Sequence, residues 1–151
     1  MTRGSIIVRQ GEGEAIGGAG GELRFIAGAA DTDGTWSLAE NIVPRGAGAP
    51  PHFHAWSEAY YLIAGEVEFE FEGKKTLARP GDFLVAPGGM THAFRGASDE
   101  PARMLIFDIP AHSEDFFRET HRAFQEPAPS MEKIFAIGEA HGVHFVPPAI
   151  P

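Results

Sequence analysis

Residues 50–73, PPHFHAWSEAYYLIAGEVEFEFEG, end in a strict alternation. Val67, Phe69 and Phe71 fall on one side of an extended chain, and Glu66, Glu68, Glu70 and Glu72 fall on the other. Side chains alternate across a β-strand, so this stretch reads as a strand with one buried and one solvated face. The glutamates are then a wet surface and carry no chemistry. EGKK (72–75) follows as a hairpin turn. Working outward, ELRFIAG (22–28) and TWSLAENIV (35–43) read as strands around the turn DTDG (31–34), with Trp36, Leu38 and Ile42 predicted to share the buried side. GDFLVAP (81–87), THAFRG (91–96) and ARMLIFDIP (102–110) continue the series, each closed by glycine or proline. Many short strands at close spacing predict a β-sandwich or barrel and argue against βαβ units.

The pattern changes after Pro110. HSEDFFRETHRAF (112–124) predicts a helix with Ser113 as N-cap, two acidic residues in its first turn, and Phe117, His121 and Phe124 at helical spacing. Ser130 is placed to cap a second short helix through MEKIFAIGEA, with Gly142 near its end. The glycine-rich GEGEAIGGAGGE (11–22) reads as an ordered turn region or an arm.

The 151 residues suit one domain, with a β-core over about 22–110 and a helical extension over about 112–148. A formal charge of −9 repels phosphate backbones, so no nucleic-acid partner is expected. With no cysteine, disulfides, thiolate metal sites and thiol nucleophiles are excluded together. The opening MTRGSIIVRQGEGE lacks the features of a signal peptide, and no apolar run approaches the ~20 residues of a membrane span. The expectation is a cytoplasmic protein with no membrane partner.

His52, His54 and Glu58 admit three readings: polar loop residues, metal ligands, or a metal-free catalytic dyad. Their even spacing puts all three on one face of an extended segment. Two imidazoles and a carboxylate form a nitrogen and oxygen donor set suited to a divalent transition metal. A dyad lacks a serine or cysteine nucleophile at a matching offset. His92, after the turn Pro87-Gly88-Gly89, would complete a site of three histidines and one carboxylate.

These residues resemble the two motifs of the cupins, small antiparallel β-barrels of jelly-roll type. The first, G-x5-H-x-H-x3-E-x6-G, is matched by Gly46, His52, His54, Glu58 and Gly65. The second, G-x5-P-x-G-x2-H-x3-N, is matched by Gly81, Pro87, Gly89 and His92, with Gly96 in place of the final asparagine. The resemblance implies a jelly roll with one or two short C-terminal helices. It also implies that His52, His54, Glu58 and His92 hold one divalent transition metal ion, with Fe, Mn, Ni, Co, Cu and Zn all acceptable to this donor set. The tail, from HSEDFFRE to EAHGVHFVPP, is similar to that of single-domain cupins grouped with quercetin dioxygenases.

The function this implies is a metal-dependent dioxygenase acting on an aromatic or enol-type small molecule, with Glu58 as ligand and catalytic proton acceptor. A non-redox isomerase, cyclase or lyase and a non-catalytic ligand-binding module are the alternatives, since cupins serve all three classes. Tyr60 and Leu62, which share the parity of Glu58, and Met90 and Phe94, which share that of His92, are the expected substrate-pocket wall. A small-molecule substrate is the expected partner, and the resemblance also allows a homodimer. His112, His121, His141 and His144 fall outside both motifs, and His121 and His141 are expected at the surface.

Overall fold

The computed structural model describes residues 4–18 and 21–147. The centre of the glycine-rich stretch, residues 19 and 20, and the end of the expected extension, residue 148, lie outside the described residues. The chain runs β1 (Glu14–Gly18), β2 (Gly21–Ala27), α1 (Ala29–Thr32), β3 (Ser37–Val43), β4 (Gly48–Phe53), β5 (Ser57–Ala64), β6 (Val67–Phe71) and β7 (Lys74–Ala78). It continues through β8 (Phe83–Ala86), β9 (His92–Gly96), β10 (Ala102–Ile109), α2 (Glu114–Phe124), α3 (Met131–Ala140) and β11 (His144–Phe145).

The strands form two antiparallel sheets, ordered β1-β2-β3-β10-β5-β8 and β11-β4-β9-β6-β7. This is the jelly roll expected from the sequence, built as two facing sheets that hydrogen bonds do not join into one closed cylinder. The core lies between them. Tyr60, Leu62, Met104 and Ile106 from the first sheet meet Val67, Phe69 and Phe94 from the second. The Tyr60 and Phe69 rings stand 4.8 Å apart, and Phe69 is 5.8 Å from Phe94. Each aromatic fully buried in this way contributes about 1.5–3 kcal/mol.

In β6, Val67 and Phe69 are buried and the glutamates lie outward, as the alternation predicts. Glu72 and Gly73, with φ of 48° and 78°, make the turn to β7, the primed geometry that matches strand twist.

Strand β3 departs from its predicted parity. Ser37, Ala39, Asn41 and Val43 face inward, Leu38 and Ile42 are half-buried on the opposite side, and Trp36 is 41% exposed. Both faces carry apolar side chains, so apolar periodicity does not distinguish them. Of the turn expected at 31–34, residues 33–34 are turn and the first two belong to the short helix α1.

The tail also carries more than helices. Residues 144–145 add a strand to β4, pairing Phe145 with His52 and His144 with Phe53. Ser113 stands at the N-cap position of α2, but its hydroxyl bonds the Asp108 carboxylate and leaves the helix uncapped by a side chain. Ser130 does cap α3, accepting from the Lys133 amide. His121 and His141 are half-buried: His121 Nδ1 donates to the Gly17 carbonyl, and His141 pairs with Glu119 at 3.1 Å. No helix among the described residues is long and apolar enough to cross a membrane.

Candidate metal centre

His52, His54, Glu58 and His92 converge, and one nitrogen or oxygen of each lies within 4.8 Å of all the others. All four are buried. They do not meet through the face of a single extended segment. His52 belongs to β4 of the five-stranded sheet, the chain bends after Phe53, and Glu58 belongs to β5 of the six-stranded sheet. His92 sits directly opposite His52 where the β4–β9 register shifts. The Gly89 amide donates to the His54 carbonyl at 2.7 Å and locks the turn before β9 against the bend.

The imidazoles share one arrangement. Nδ1 of His52 lies 2.7 Å from the Pro50 carbonyl, that of His54 2.9 Å from Trp56, and that of His92 2.9 Å from Met90. A carbonyl oxygen only accepts, so each Nδ1 carries the proton and each Nε2 of a neutral ring presents a lone pair. Nε2 of His54 and of His92 is buried without a hydrogen-bond partner. Glu58 adds a carboxylate 3.5 Å from His54 Nε2 and 3.8 Å from His92 Nε2. Orphaned buried acceptors are costly, and a cation would satisfy them all at once. The donor set therefore fits the divalent transition metal that the motifs imply.

Electrostatics within the cluster follow from burial and proximity. Burial alone would raise the Glu58 pKa, but the imidazoles of His54 and His92 draw it well below the usual carboxylate range. Burial and the neighbouring His92 lower His52 to about 4. For His92, burial opposes protonation, and the Glu58 carboxylate outweighs it and raises the pKa.

Around the ligands stand residues that fix them. The Tyr60 hydroxyl donates to Glu58 Oε1, and burial followed by the Glu58 charge pushes its pKa well up, so it stays a donor. Trp56 stacks on His54 at 4.1 Å with ring planes 7° apart, and the His112 ring lies 4.4 Å from the same indole. Asp108 faces Glu58 across the β5–β10 pairing. Burial and then the Glu58 charge hold Asp108 well above a normal carboxyl pKa.

His52, His54 and Glu58 of the cluster line a cleft of about 150 Å³ between the jelly roll and the C-terminal helices. Phe94 lines this cleft. Tyr60 and Leu62 do not: both are packed in the core, where Tyr60 supports Glu58 from below. Met90 is not a wall residue either, and its role at the site is the carbonyl that orients His92. The opposite wall comes from α2, α3 and β11, through Phe116, Phe117, Phe124, Ile134 and Phe145. Sequence reasoning passed over Asn41 and Asp108. Neither carries a signal in the spacing of the sequence, because each matters through what faces it across strands.

Residues 40–108 match the model of the Cupin domain family. The chain is 26% identical over 113 residues to quercetin 2,3-dioxygenase of Bacillus subtilis (strain 168), covering 74% of this chain and 33% of that protein. It is 34% identical over 97 residues to the polyketide synthase CurC of Streptomyces cyaneus, covering 60% of each. Among solved structures, the polyketide cyclase RemF of Streptomyces resistomycificus superposes with a TM-score of 0.62 at 22% identity, covering 82% of this chain and 94% of that one. The chain thus spans between a third and three-fifths of the length of these two curated relatives. With both motifs in place around one buried cluster, residues 40–108 match the Cupin domain family, and the jelly roll that carries them has the cupin fold.

Proposed function

We propose that this protein is a metal-dependent dioxygenase that adds both atoms of dioxygen to a phenolic or enol-type small molecule. The observation that carries this reading is the buried set His52, His54, Glu58 and His92, with its orphaned Nε2 atoms, at the end of an aromatic-walled cleft. Identity to a quercetin 2,3-dioxygenase over most of this chain supports it. When bound, a divalent transition metal supplies the positive charge that lowers the pKa of a substrate hydroxyl far enough for a weak base to take its proton. Glu58 is that base. Its Oε1 is occupied by the Tyr60 hydroxyl, which leaves Oε2 to receive the proton. The carbonyls of Pro50, Trp56 and Met90 hold the three imidazoles in the tautomer that ligates. Phe94 and the phenylalanines of α2 give the substrate an apolar bed and keep bulk water from the reacting carbons.

A second reading is non-redox, with the same cation polarising a carbonyl for cyclisation or elimination. The 34% identity to a polyketide synthase favours it as the alternative. Oxygen uptake separates the two. Protein loaded in turn with Fe, Mn, Co, Ni or Cu should consume oxygen with quercetin, and His54→Ala should abolish the uptake. Turnover under strict anaerobiosis, or with zinc alone, would establish the non-redox reading. Silence with every metal would remove the dioxygenase.

A further inference from the structure

Five buried side-chain atoms among the described residues have no hydrogen-bond partner: Asn41 Oδ1, His54 Nε2, Trp56 Nε1, His92 Nε2 and Asp108 Oδ1. The two histidine atoms belong to the metal cluster. Trp56 and Asp108 interact with one another through their side chains. Asn41 remains. It is 5% exposed, lines the cleft, and stands on the central strand β3 between Leu23 of β2 and Met104 of β10, both buried and apolar. The other polar side chains of the cleft are committed. The Ser113 hydroxyl serves Asp108, and the Thr120 hydroxyl serves the Phe116 and Phe117 carbonyls at 2.9 and 3.1 Å.

A carbonyl oxygen buried among apolar neighbours costs stability unless something pairs with it. A fold retains such a group where a ligand supplies the missing donor. We infer that Asn41 is a specificity-determining residue, and that the cleft takes an apolar ring system bearing a hydroxyl or N–H donor remote from the oxygen that faces the metal cluster. This deepens the proposed function and rests on its placement of the substrate in the cleft. The ligand class is thereby narrowed to molecules with two polar ends: an acidic hydroxyl at the cluster and a second donor at Asn41. An apolar aromatic with a single hydroxyl would leave Oδ1 unpaired, and sites built to bond a donor discriminate strongly against analogues that lack it.

The test uses metal-loaded protein without oxygen and two probes on one scaffold, quercetin and 3-hydroxyflavone. Binding is read by quenching of Trp56, which lines the cleft, whereas Trp36 lies on the surface. Wild type should bind quercetin about tenfold or more tightly than 3-hydroxyflavone, and Asn41→Leu should bind the two about equally by losing affinity for quercetin alone. Ligand-free Asn41→Leu should also melt at a higher temperature, because an orphaned polar atom has gone and the volume is conserved. An unchanged preference in Asn41→Leu overturns the inference and leaves the dioxygenase reading standing. A lower melting temperature overturns it too, since the amide would then be structural. Binding of neither probe to wild type overturns it together with the substrate placement on which it rests.

Discussion

His92 and His52 are both buried ligand candidates, yet their environments push them in opposite directions. Glu58 raises His92 above the ordinary imidazole value, while burial and His92 itself lower His52 to about 4. In the metal-free chain, acidification therefore protonates His92 first, and His52 stays neutral until about pH 4. A protonated imidazole offers no lone pair, so a cation must expel the His92 proton in order to bind. Affinity for zinc should fall by about tenfold or more for each pH unit below the His92 pKa, since at least one proton competes. A chelator-competition titration between pH 8 and 5 measures this slope. Affinity independent of pH across that range would mean that His92 is not a ligand. The three motif histidines and Glu58 were legible because their types and spacing are fixed by the donor chemistry. Asn41 and Asp108 were not, because each acts through what faces it across strands, and no spacing within the sequence encodes that.

The elements were legible wherever one face is wet. Strand β6 alternates cleanly because its glutamates meet solvent, whereas β3 has apolar side chains on both faces and its parity could not be read from apolar residues. The two-residue β11 gives no periodic signal at all, and it exists because the backbone of β4 offers an edge beside it. One departure from the family motif also has its cause at this level. Gly96 closes β9, where its amide donates to the Ala47 carbonyl and its own carbonyl accepts from Gly46, each at 2.9 Å. The backbone there runs so close to the preceding crossover that a Cβ on Gly96 would lie 2.3 Å from the Pro44 carbonyl oxygen. Restoring the family residue, Gly96→Asn, should therefore cost more than about 2 kcal/mol. Gly96→Ala should cost nearly as much, because the obstruction is at Cβ. Urea-unfolding midpoints of the two variants test this, and wild-type stability in either would show that the Pro44 backbone yields.

At the scale of the molecule, the cluster is a tie between the two sheets. His52 and His92 come from β4 and β9 of one sheet, and Glu58 from β5 of the other. A cation shared among them crosses the open side of the jelly roll, where hydrogen bonds do not join the sheets. The chain's formal charge of −9 favours a cation there over any anion of similar size. The helices α2 and α3, whose coverage of the cleft depends on long-range contacts that no local pattern records, line its other side. Whatever binds the folded chain alone stabilises it by mass action, about 2.7 kcal/mol at a free concentration one hundred times the dissociation constant. In a domain of this length each kcal/mol moves the melting temperature by about 2–4 °C. Zinc at that excess should thus raise the midpoint by roughly 5–10 °C, and EDTA should reverse the shift. His92→Ala and Glu58→Ala should each lose most of it, the first by removing a ligand on one sheet and the second by removing the only ligand on the other. A melting profile that ignores zinc in the wild type would show that these four side chains do not share an ion.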